Sequence, residues 1–107
     1  MRFIGQKHPF TKCVAIDVDE TLVVDGKLNT CVIDYAKDRK AAGFEIILWS
    51  ARGREHACQT AERFGIVDLF SSIISKPGYV VDDMGWAWTR YTRVVKMDSL
   101  AKESVDV

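Results

Sequence analysis

Asp17, Asp19 and Glu20 follow directly on an apolar run in CVAIDVDETL, so three carboxylates stand at the mouth of what reads as a buried strand. Acids withdrawn from water are costly unless a cation or hydrogen-bond donors answer them. Further along, Ser50 closes FEIILWS, Lys76 follows SSIIS, and Asp82-Asp83 follow GYVV. Each of these polar residues ends an apolar run, and the carboxyl ends of parallel strands share one edge, so residues distant in sequence converge on one crevice. Several carboxylates with one lysine make a strongly negative site suited to a hard dication. Magnesium takes oxygen ligands, keeps several waters and shares its shell with phosphate, and Ser50 and Lys76 suit phosphate oxygens. With the negative field offset, a carboxylate can attack phosphorus to form an aspartyl-phosphate, and Asp19 can supply general acid and then base.

The elements that must position these residues follow from the apolar pattern. KCVAIDV is almost continuously apolar, which suggests a strand covered on both faces, as in a parallel sheet. In TLVVDGKLN, Asp25-Gly26 between short apolar pieces signals a small hairpin. NTCVIDYAKDRKAAG reads as a helix capped by Asn29 or Thr30 and ended by Gly43. FEIILWS is a second strand, and GREHACQTAERFG a second helix with its stop at Gly65. SSIISK and GYVVDD read as two more strands, split by Lys76-Pro77-Gly78. Strands alternating with helices favour a layered α/β domain with a mainly parallel sheet. The last third carries Trp86, Trp88 and Tyr91 in a segment readable as an extra strand and a tail, the aromatics covering a sheet edge or a subunit interface.

Composition sets the outer bounds. A chain of 107 residues suits a single domain over its whole length, 1–107. Fifteen basic residues balance fifteen acidic ones, and neither sign forms a long block, so charge points to neither a nucleic-acid nor a membrane partner. Cys13, Cys31 and Cys58 are odd in number and form no CxxC pair, as expected of reduced thiols used in core packing. No apolar run approaches a membrane span, and MRFIGQKHPFTK lacks the apolar middle of a signal peptide. The expected compartment is the cytoplasm.

IDVDETL resembles the DxDxT signature of the haloacid dehalogenase superfamily of phosphohydrolases. The resemblance makes Asp17 the nucleophile, Asp19 the general acid/base and Thr21 the residue that steadies the loop beside the phosphate. IILWSARG is similar to the second motif of that superfamily, with Ser50 as its hydroxyl residue. ISKPGYVVDD is similar to the third and fourth motifs together, with Lys76 facing the phosphate and Asp82-Asp83 as the acidic pair. The likeness runs from about Lys12 to Asp83. It implies a Rossmann-like three-layer sandwich with the Asp17 strand in the middle of its sheet, and a magnesium-dependent phosphatase acting on a phosphomonoester through an aspartyl-phosphate on Asp17. Magnesium is then held by Asp17, Asp19 (through its carbonyl), Asp82 and Asp83, with Asp82 the closer of its pair. Backbone N–H groups of the turn after Asp17 are expected to cradle the phosphoryl oxygens.

The gaps between motifs hold no cap domain, so the chain resembles the minimal, capless type, and its site should be open. A bulky substrate, such as a nucleic-acid end or a phosphoprotein, then excludes water itself, or a second subunit closes the site over a sugar or nucleotide phosphate. Arg52 and Arg54, near a helix start, are weaker substrate-contact candidates. His56 has no second histidine or cysteine at ligand spacing, which disfavours zinc, and His8 is assigned nothing. Two rival readings stand beside the phosphatase. One is a non-catalytic binding or assembly module on the same fold. The other is a receiver-like phosphoryl-accepting domain, in which the acidic pair comes early and the acceptor aspartate stands alone, the reverse of the order here.

Overall fold

Burial alternates along the two longest strands, and that alternation sets the architecture. The structure, a computed structural model, describes residues 10–102. His8 and the rest of the amino-terminal stretch before Phe10 lie outside the described residues. Strand β1 (Cys13–Asp17) pairs in parallel with β4 (Glu45–Ser50), which pairs in parallel with β5 (Ser72–Ser75). On β4, Ile46, Leu48 and Ser50 are buried while Ile47 and Trp49 are half-buried; on β1, Ile16 is buried while Cys13 and Ala15 are exposed. One face of the sheet therefore carries the core, whose members include Ile16, Ile46 and Leu48 from the strands, Val32, Ile33, Ala36, Ala57 and Ala61 from the helices, and Phe70.

Both crossovers run in the same direction across the sheet, from β1 to β4 and from β4 to β5. A right-handed path then puts both crossover helices on one face, which accounts for the one-sided burial. The expectation that β1 is covered on both faces is corrected by its exposed residues, and the described residues form two layers, a helix layer on a three-stranded parallel sheet.

The local signals between these strands are read as expected. Strands β2 (Val23–Val24) and β3 (Lys27–Leu28) form an antiparallel hairpin. Its turn residues Asp25 and Gly26 have φ of 52° and 74°, the two positive values that a type I′ turn requires. Helix α1 (Thr30–Ala41) is capped by Asn29, whose Oδ1 accepts from the Cys31 N–H at 3.1 Å. It closes at Gly43, which has a φ of 91° and donates its N–H to the Lys40 carbonyl at 3.0 Å. Helix α2 (Arg54–Arg63) is followed by Gly65 with φ 67°.

Three expectations about strands also fail. Among the described residues the Asp17 strand is an edge strand of the three-stranded sheet rather than its middle, which β4 occupies. GYVVDD forms no strand: after the Lys76 N–H bonds the Ser50 carbonyl at 2.9 Å, Pro77 has no N–H with which to extend the ladder. Residues 77–82 then run irregularly, with Val81 fully exposed. The tryptophan segment is not a strand either. Gly85–Tyr91 winds as 3₁₀ helix, with the Thr89 Oγ1 donating to the Trp86 carbonyl at 2.7 Å. The cysteines depart from core packing as well, since Cys13 and Cys31 are exposed and Cys58 is half-buried; all three are free thiols. No helix among the described residues is long and apolar enough to cross a membrane.

Candidate functional site

Asp17 is the last residue of β1 and lies opposite Trp49 of β4. Its half-buried carboxylate makes no hydrogen bond or ion pair among the described residues. The chain beyond it folds into a tight turn anchored by Val18 and Leu22, 1% and 0% exposed. The Leu22 N–H bonds the Asp17 carbonyl at 3.2 Å, the Thr21 and Val23 N–H groups bond the Val18 carbonyl at 3.3 and 3.0 Å, and the Glu20 N–H bonds the Val23 carbonyl at 2.9 Å. Those four N–H groups are spent in closing the turn. Glu20 takes a positive φ of 61°, a costly backbone for a residue with a side chain, and the turn's internal bonds hold it there.

Asp19 meets nitrogen partners on both oxygens, from Arg52, expected only as a substrate contact, and from His56, expected to have no role. Its carboxylate lies 3.4 Å from the Arg52 Nη1 and 3.3 Å from the His56 Nε2. Arg52 follows β4 and His56 sits in the first turn of α2, so the edge at which β1 and β4 end also receives the start of α2. That start is held by two serine hydroxyls. The Ser50 Oγ accepts the Arg52 N–H at 3.0 Å, and the Ser75 Oγ accepts the Arg54 N–H at 2.8 Å. Between them Gly53, at φ 106°, turns the chain in a conformation that only glycine adopts readily.

Ser50 is therefore first a structural residue. It is 1% exposed, its carbonyl accepts from both Gly53 and Lys76, and its hydroxyl proton is left to donate elsewhere. Lys76 is at the same edge, and its Nζ stands 5.6 Å from the centroid of the Trp49 ring, within range of a cation–π contact. In the β1–β4–β5 register Asp17, Trp49 and Ile74 share one sheet face, the face left uncovered by the helices. Thr21 is half-buried in the turn.

Asp82 and Asp83 behave differently. Both are exposed, and the Asp82 Oδ1 accepts the Met84 N–H at 2.8 Å while its carbonyl accepts the Gly85 N–H at 3.2 Å, the side-chain-closed turn common for aspartate. Among the described residues no three His, Cys, Asp or Glu side chains group closely enough to hold a metal ion. The structure thus gathers Asp17, Asp19, Ser50 and Lys76 at strand ends without joining Asp82 and Asp83 to the first two as a ligand set.

Sequence reasoning gave His56 no role in this site and passed over Ser75. Neither has a local signal, because His56 reaches Asp19 across 37 positions and Ser75 caps a helix that starts 21 positions earlier. The convergence of strand ends with the start of the next helix was the one clue to His56. Arg54, the other weak candidate, has an exposed side chain beside this site. No family model, curated protein or solved structure matches the chain.

Proposed function

We propose that the chain hydrolyses phosphomonoesters through an aspartyl-phosphate on Asp17, as its resemblance to haloacid dehalogenase phosphohydrolases implies. One observation carries the reading: two carboxylates two residues apart have opposite surroundings. Asp17 is half-buried and unpaired among the described residues, as a nucleophile needs. Asp19 stands within reach of the Arg52 Nη1 and the His56 Nε2, which fix where its carboxyl lies beside Asp17.

In this reading a carboxylate oxygen of Asp17 attacks phosphorus, and the ester P–O bond breaks. Asp19 gives its proton to the departing oxygen. It then takes a proton from water as that water attacks the aspartyl-phosphate, whose P–O bond to Asp17 breaks and releases inorganic phosphate. Ser50 and Lys76 contribute donors and positive charge for the phosphoryl oxygens.

The resemblance brings magnesium with it. Such an ion binds one or two carboxylates together with water and phosphate oxygens, and in this reading Asp17 would offer its carboxylate and Asp19 its carbonyl. Among the described residues the side chains of Asp17, Asp19, Asp82 and Asp83 form no close group of three, and no step above passes through a metal. A Rossmann-like core, of which the described residues show one helix layer on the sheet, belongs to the same proposal, as does an open, capless site for a bulky phosphorylated partner or a homo-oligomer.

The test is phosphate release from an aryl phosphate, with magnesium and with a chelator, by the wild-type chain and by Asp17→Asn. Turnover by the first and none by the second supports the reading, and equal turnover by both sinks it. That the Asp82 carboxylate is engaged in closing its own turn favours a second reading, a phosphate-binding module without turnover. Phosphate binding by a wild-type chain inert toward every ester would decide for the module.

A further inference from the structure

We infer that His56 is a positioning residue for Asp19, an inference that rests on the hydrolase reading and deepens it. The His56 Nε2 lies 3.3 Å from Asp19 Oδ1 and 3.3 Å from Oδ2, so one ring nitrogen faces both carboxylate oxygens. The distances are long for a hydrogen bond, as substrate-free sites commonly are. Both partners stand on fixed backbone. Asp19 bridges to Val23 within the turn, and His56 lies in α2, where its carbonyl also accepts the Thr60 hydroxyl at 2.9 Å.

Arg52 reaches the same carboxylate, but the two residues differ in enclosure. The Arg52 side chain is 66% exposed and that of His56 24%, so solvent weakens the arginine contact more. The ring also loses less freedom on being held than a long guanidinium arm.

The contact suits a carboxyl that changes protonation state during a reaction. Ionised, Asp19 accepts the Nε2–H through either oxygen. Protonated, it keeps one oxygen as an acceptor for that N–H while its O–H points elsewhere. The ring therefore holds the carboxyl in both halves of the cycle, leaving its other oxygen for the leaving group and then for water.

The experiment compares His56→Ala and His56→Gln with wild type on an aryl and an alkyl phosphate. Misplacing a reacting group by an ångström costs on the order of 100-fold, so His56→Ala should lower kcat by about tenfold to 100-fold, with KM within about twofold of wild type. The loss should be larger for the alkyl ester, whose leaving oxygen needs the proton more. His56→Gln keeps an N–H donor at a similar reach and should recover most of kcat. Within an Asp19→Asn background, His56→Ala should add no further loss.

A His56→Ala chain as active as an active wild type, equal losses on both esters, or failure of His56→Gln to recover activity would each overturn the inference while leaving the hydrolase standing. An inert wild type would overturn the hydrolase, and this inference with it.

Discussion

The Asp17 carboxylate ends β1 without a partner among the described residues, while Asp19, two positions on, has a ring nitrogen of His56 3.3 Å from each of its oxygens. One turn thus gives two acids different neighbours, and the proposed division of roles between them rests on that difference. The separation depends on the buried pair Val18 and Leu22, which pin the turn between the two acids.

Asp17→Asn should abolish phosphate release while leaving the fold intact, because its side chain makes no hydrogen bond or ion pair among the described residues and asparagine has the same shape. Phosphate release and far-ultraviolet circular dichroism on the same sample check both halves. A loss of helical signal would mean that Asp17 is structural.

The one-sided sheet predicts unequal costs for two adjacent core truncations. Leu48 is 0% exposed and faces the helices, so Leu48→Ala should cost about 2–5 kcal/mol. Ile47 is half-buried on the other face, and Ile47→Ala should cost about half as much or less. Urea unfolding measures both, and equal costs would mean that the second face is covered.

Asn29 caps α1 through its side chain. Asn29→Ala should lower stability by roughly 1 kcal/mol, read as a shift in the denaturation midpoint without a change in slope.

Although Cys13 is exposed as a residue, partial desolvation of its thiol, and then the negative charge of Glu45, push that thiol above its ordinary range. At neutral pH the thiolate fraction falls, so alkylation of Cys13 by iodoacetamide should be slower than that of a free cysteine peptide. The linkage runs the same way. The unfolded thiol ionises first, so this group's contribution to stability falls as pH rises above the ordinary thiol range. Glu45→Gln should speed the alkylation, and an unchanged rate would remove the charge as a cause.

The local structure was legible in the sequence wherever one residue type forces a backbone choice. Asp25-Gly26 demanded positive φ at the hairpin turn, Asn29 supplied a cap, and Gly43 and Gly65 supplied helix ends; all appear where the pattern placed them. The apolar run in β1 misled, because continuity shows that residues tolerate burial without showing how many layers exist to bury them. GYVVDD has the composition of a strand, yet strand formation needs a neighbour with an open ladder, and the chain after Pro77 is not delivered to one. At the candidate site, the positions of Asp17, Asp19, Ser50 and Lys76 at or just past strand ends were legible because each follows an apolar run. His56 was missed because a helix residue comes to a strand end only through the packing of α2 on the sheet.

The most direct measurement is to trap the phosphoryl group itself. Asp19→Asn, incubated with an aryl phosphate in magnesium-containing buffer, quenched in acid and digested, should yield a peptide carrying phosphate on Asp17 by mass spectrometry, because attack on a good leaving group proceeds while hydrolysis of the intermediate stalls. Release of phosphate by the wild-type chain, with no phosphorylated Asp17 in either protein, would contradict the account.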